Sequence, residues 1–149
     1  MKAVKFFFYL IVLFTISSCT QHKKILPIGA WKLVFAQQMS GDSVVNKFSV
    51  DKNGTQLKIW SENNFFFVGR KKMDQDTAFS DTYGSGTYKL TDNQYQEVVL
   101  YHHNKLVVNT VINMILEIKG DTLTQSWPVD QYGKVIPANY YVEKYIRLK

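Results

Sequence analysis

The chain of 149 residues holds one cysteine, three histidines and 12 acidic side chains, so any chemistry must be assembled from few parts. Cys19 stands alone, and one thiol makes neither an internal disulfide nor a multi-cysteine zinc site. His102 and His103 are adjacent. Neighbours on a strand point to opposite faces, so the pair is not expected to share a metal ion. Beside Asn104-Lys105 they read as a solvated hairpin end. No His-x-x-x-His, Cys-x-x-Cys or calcium-loop pattern occurs, and no serine stands in a Gly-x-Ser-x-Gly elbow. The sequence therefore assigns no catalytic residue, metal or cofactor, and enzymatic activity is not expected. Glu97 and Glu143 fall on otherwise inward, apolar faces, where a carboxylate either pairs with Arg or Tyr or orients a ligand.

Lys2 and Lys5 open the chain, and an apolar stretch of 11 residues follows from Phe6 to Ile16. This is short of the roughly 20 residues a membrane-spanning helix needs. A basic start, a short apolar centre and small residues after it form the layout of a secretory signal peptide. Ile16-Ser17-Ser18-Cys19 resembles the lipobox of bacterial lipoproteins, which implies cleavage before Cys19 and acylation of its thiol. Residues 1–18 then form the signal peptide, 19–27 a lipidated tether, and 28–149 one barrel domain. Without Lys2 and Lys5, 16 basic residues face 12 acidic ones, lowering the net charge from +6 to +4. The remaining lysines are scattered and form no basic stripe, so nucleic acid is not an expected partner. Thr20-Gln21 carries no acidic sorting residue, which resembles an outer-membrane, periplasm-facing address.

Beyond Gly29 the dominant hydrophobic period is two. Trp31, Leu33 and Phe35 share a face, as do Leu57 and Ile59 on either side of Lys58. Tyr95, Glu97, Val99 and Tyr101 share another. Val108, Thr110, Ile112, Met114, Leu116 and Ile118 line one side of a strand from Val107 to Ile118. Further strands are expected at Val44–Val50, Phe65–Val68, Gly86–Leu90, Leu123–Trp127 and Tyr140–Leu148. Turn signals separate them at Asn53-Gly54, Thr91–Gln94 and Lys119–Asp121. Asn53-Gly54-Thr55 also matches a glycosylation acceptor and is read as a turn. The polar stretch Gly69–Ser85 is expected to be a long loop, either a lid or a plain connection. Eight to nine short strands with no helical stripe predict an all-β, up-and-down antiparallel barrel, the closure that leaves no open edge.

Gly29-Ala30-Trp31 at the start of the domain resembles the Gly-x-Trp signature of lipocalins. Gly86-Thr87-Tyr88 leading to Tyr95-Gln96-Glu97, and Glu143-Lys144-Tyr145-Ile146-Arg147 at the end, extend the resemblance over residues 29–149. The chain is thus similar to lipocalin-like (calycin-type) bacterial envelope lipoproteins. The resemblance implies that Arg147 of the last strand packs across Trp31 as a structural plug. Tyr145 stands where the family more often has a tryptophan, and the cysteines that pair in many secreted lipocalins are missing.

An eight-stranded barrel has an interior just able to hold one small molecule, and such pockets are lined by aromatics with a few orienting polar groups. The candidate lining is Phe65, Phe67, Tyr88, Tyr95, Glu97, Tyr101, Met114, Gln125, Trp127, Glu143 and Tyr145. The expected function is binding or carriage of a small hydrophobic ligand by a protein held to the membrane through Cys19. The alternative is a barrel filled by these same side chains, acting as a protein-interaction module of the envelope. The sequence leaves the oligomeric state open.

Overall fold

A computed structural model describes residues 26–48, 52, 54–72 and 77–149; Cys19 and the expected signal peptide lie outside them. The described residues form nine strands, β1 (Gly29–Ser40), β2 (Ser43–Phe48), β3 (Gly54–Trp60), β4 (Asn64–Lys71), β5 (Ser80–Thr91), β6 (Gln94–His102), β7 (Val111–Lys119), β8 (Thr122–Trp127) and β9 (Tyr140–Arg147). All pairings are antiparallel. From β3 to β9 each strand pairs with the next, and β1 closes the ring by pairing with both β3 and β9. The result is a closed, up-and-down eight-stranded barrel with β2 as an extra strand on the far half of β1.

Tight turns make the meander possible. Asp92 (φ 55°) and Gly120 (φ 59°) take the left-handed conformation in the β5–β6 and β7–β8 hairpins, where two-residue connections match the twist of the strands. These turns gather at one end, where the interior is packed solid by Trp31, Trp60, Phe65, Tyr95, Leu123 and Tyr145. Trp31 and Arg147 are register partners on β1 and β9. The guanidinium lies 4.2 Å from the indole ring and donates to the Ile28 carbonyl (2.7 Å), while the indole N–H donates to the Pro27 carbonyl (2.6 Å). Both bonds tie the incoming chain across this end.

Within the eight-stranded wall, strict alternation breaks at two bulges among the described residues. In β1, Leu33 pairs with Tyr145 but Phe35 pairs with Lys144, so Val34 is an inserted residue. Phe35 therefore leaves the inward face expected for it, its ring lies against the Lys144 ammonium at 5.3 Å, and Ala36 turns toward the core instead. In β6, Ser85 pairs with Tyr101 but Gly86 with Val99, so Leu100 is inserted. Tyr101 thereby points outward and is 68% exposed, which removes it from the expected ligand lining. One extra residue shifts the parity of everything beyond it.

Three further expectations are corrected. Val108 and Thr110 belong to no strand; a 3-10 turn at Lys105–Val107 precedes β7, and Asn109 (φ 64°) bends the chain before it. Gly69–Ser85 is not one long loop, because β4 runs to Lys71 and β5 starts at Ser80, with Arg70 opposite Asp81. Between Leu57 and Ile59, it is Lys58 that faces the interior, while Ile59 is exposed.

Replacing Arg147 by lysine keeps the charge but removes the planar stack and the fork that reaches Ile28. We expect a loss of about 1 kcal/mol, read as a lower urea midpoint with an unchanged slope.

Candidate functional site

The barrel interior changes character halfway along. Above the aromatic floor lies a layer of polar side chains from five strands: Gln56 and Lys58 (β3), Thr82 (β5), Glu97 (β6), Gln125 (β8) and Glu143 (β9), all buried. Alternation puts Gln56, Lys58 and Trp60 on one face of β3, as it puts Tyr95 and Glu97 on β6 and Glu143 and Tyr145 on β9. An isolated charge here is prohibitive, so each group must find a partner.

The partners form one chain of hydrogen bonds. The Trp60 indole N–H donates to the Tyr95 hydroxyl (2.8 Å), which donates to Glu97 Oε1 (2.8 Å). Lys58 Nζ lies 2.6 Å from the same oxygen, with both side chains at most 4% exposed, and donates to Gln125 Oε1 (3.2 Å). Gln125 Nε2 donates to Glu143 Oε2 (2.6 Å), which also accepts from the Tyr145 hydroxyl (2.8 Å). Gln56 Nε2 donates back to that hydroxyl (3.2 Å), and Thr82 donates to Gln56 Oε1 (3.3 Å). Below, the Lys58 ammonium faces the rings of Trp60 (5.0 Å), Phe65 (5.3 Å) and Tyr95 (5.9 Å). One buried cation thus meets one carboxylate, one amide oxygen and three aromatic faces.

Above this layer the barrel is open. A cavity of about 220 Å³ is floored by Gln56, Lys58, Thr82, Glu97, Gln125 and Glu143, walled by Phe67, Val99, Val107, Ile112, Met114 and Trp127, and rimmed by Lys71, His102 and His103. Space for Phe67 comes from Gly84, since a β-carbon there would sit 2.4 Å from its ring. A second cavity of about 230 Å³ adjoins it toward β1 and β2 and shares Lys71, Trp127 and Glu143. Trp127 stands between the two, stacked on Tyr141 at 4.4 Å. Its indole N–H is buried without a partner among the described residues.

His102 and His103 do not diverge as expected. β6 ends at His102, so strand alternation no longer governs the pair, and the two rings stack at 4.2 Å. The Phe67 ring meets His102 edge-on at 5.6 Å. Burial and the neighbouring His103 hold the His102 imidazole below its usual range, favouring the neutral ring. Among the described residues no group of three His, Cys, Asp or Glu side chains is placed to hold a metal ion.

Of the expected lining, Phe67, Glu97, Met114, Gln125, Trp127 and Glu143 meet at the cavity. Phe65, Tyr88, Tyr95 and Tyr145 belong to the packed floor, with Tyr95 and Tyr145 supporting the carboxylates from below. Sequence reasoning missed Gln56, Lys58, Lys71, Thr82 and the two histidines. The available signal was parity: Lys58 and Gln56 share their face with Trp60, a better marker of the interior than Leu57 or Ile59.

The fold and site together define an antiparallel eight-stranded barrel, compatible with a lipocalin-like one, with a solid closed end, a buried polar layer and a cavity at its mouth. No protein-family model and no curated protein sequence matches the chain.

Removing Lys58 alone leaves Glu97 buried beside neutral partners. Lys58→Met should cost about 3–5 kcal/mol, and adding Glu97→Gln should recover much of it, measured by chemical denaturation of both variants. A pH dependence follows from the two tyrosines. Burial first, and then the charges of Glu97 and Glu143, push the Tyr95 and Tyr145 hydroxyls well above the ordinary 10.0. Unfolded tyrosines lose protons near that value while these two retain theirs. The stabilisation is therefore complete below about pH 10 and is lost as pH rises toward the folded-state values. Thermal melts between pH 8 and 11 should show this fall, and Tyr145→Phe should flatten it.

Proposed function

We propose that this protein is a lipid-anchored, lipocalin-like barrel of the bacterial envelope that binds or carries a small, largely hydrophobic molecule. The mouth cavity supports this reading most directly: apolar walls of Phe67, Val99, Val107, Ile112, Met114 and Trp127 stand over a few fixed polar groups, the usual composition of a small-molecule site. At about 220 Å³ the space suits a guest on the order of ten non-hydrogen atoms.

The anchor reading rests on the lipobox resemblance at Cys19 and on the sidedness of the barrel. Lys32, Lys89, Gln96, Asn113, Glu117 and Lys144 face outward and are exposed, while the large aromatics of the core face inward. Such a domain sits beside a membrane on acyl chains; two or three chains hold firmly where one is marginal. The absence of an acidic residue at Thr20-Gln21 after Cys19 supports an outer-membrane, periplasm-facing address.

The ligand reading is tested by fluorescence titration with 2-naphthol. Saturable binding is expected, and Ile112→Trp, which fills the mouth, should weaken it at least tenfold. Unsaturable binding, or binding indifferent to the filled mouth, would favour the alternative of an interaction module, to which the solid packing of the closed half lends itself. Cys19→Ala should move the protein from the membrane fraction to the soluble one; retention on the membrane would overturn the anchor.

A further inference from the structure

The charges of the polar layer do not balance locally. Lys58 is committed to Glu97 at 2.6 Å, and the ammonium is enclosed by Gln125 and three aromatic rings. Glu143, only 7% exposed, has no cation within 4.0 Å among the described residues. Its hydrogen-bond partners there, Gln125 and the Tyr145 hydroxyl, are neutral, and both converge on Oε2. Oε1 has no described partner, yet it is not among the sealed, unsatisfied atoms of the interior. Glu143 also borders both mouth cavities, so it faces open space from two sides. Buried carboxylates without a counter-charge are costly, and an arriving cation relieves that cost.

The other titratable groups at the mouth are Lys71, His102 and His103. His102 is held toward its neutral form by burial and by His103. Lys71 sits on the β4–β5 hairpin at the rim and lines both cavities, and among the described residues it has no ion pair within 4.0 Å to Glu143. The deepest unmatched charge in the open space is therefore negative, and the walls beside it are apolar.

We propose that the mouth cavity takes a cationic amphiphile: a protonated amine that reaches Glu143, with a compact apolar or aromatic body packed among Phe67, Met114 and Trp127. This rests on the reading of the cavity as a ligand site and names the chemistry of its guest. A charge-assisted N–H···O bond is roughly twice as strong as a neutral one, and it forms here out of bulk water.

The test compares three probes of similar shape, 2-phenylethylamine, 2-phenylethanol and 3-phenylpropionate, by calorimetric titration of the whole protein at pH 7. The amine should bind about tenfold more tightly than the alcohol, and the carboxylate more weakly than either. Glu143→Gln should erase the preference for the amine, bringing amine and alcohol affinities within about twofold of each other, with a cooperative thermal melt showing that the variant folds. Lys71→Met, at the rim, removes the competing cation and should tighten amine binding several-fold. Equal binding of amine and alcohol, a carboxylate that binds best, or weaker amine binding by Lys71→Met would overturn the inference and leave the carrier reading standing. Saturable binding of none of the three would overturn both.

Discussion

The buried pairing of Lys58 with Glu97 is the constraint around which the interior is arranged. Two charges at the middle of a barrel are tolerated only where each other and the groups around them replace much of the lost hydration. Trp60, Tyr95 and Phe65 close the underside of the ammonium with their ring faces, and Gln125 accepts a hydrogen bond from it. These demands fix the registers of β3, β6 and β8 against one another, because a slip of one residue would send Lys58 or Glu97 to the wrong face. The pair thus also divides the barrel. Below it the space is filled by aromatics that need to be dry; above it the floor is polar enough to be faced by an open cavity.

The same division explains why the two ends of the barrel differ. The closed end carries two-residue turns and the Trp31–Arg147 stack, with the entering chain bound at Pro27 and Ile28. The open end carries the longer connections and the extra strand β2, which continues beside β1 where β3 has left it. Since β1 pairs with β3 only over Gly29–Lys32, the wall loosens toward the mouth. Gly84 thins the wall further and admits the Phe67 ring. A rigid base and a looser rim suit a site that must hold its orienting groups still and let a guest pass.

How far the sequence could be read depends on where side-chain parity was kept. On β7 and β8, Ile112, Met114, Leu116, Leu123 and Gln125 face inward as their spacing predicts, because no residue is inserted. On β1 and β6 the same rule works up to Val34 and Leu100 and fails beyond them, taking Phe35 and Tyr101 to the outside. Neither insertion has a local signature, since Val and Leu are ordinary strand residues; a bulge is set by what the neighbouring strands require. His102 and His103 depart from alternation for a related reason, because β6 stops between them and their rings stack.

By itself, the sequence determined that the domain is a meander of antiparallel strands: period-two hydrophobicity and tight-turn residues act over a few positions, so they are visible without the fold. It also determined that Glu97 and Glu143 fall among apolar neighbours on their strands. Only the tertiary structure decided that Lys58 is the companion of Glu97, since the lysine lies 39 positions from it and its neighbours Leu57 and Ile59 imitate an inward face. The tertiary structure likewise decided that one carboxylate is matched by a cation and the other is not, because charge compensation is a property of which strands meet across the barrel. Local patterns specify elements; the energy of a buried charge is settled by groups far away in the chain and close in space.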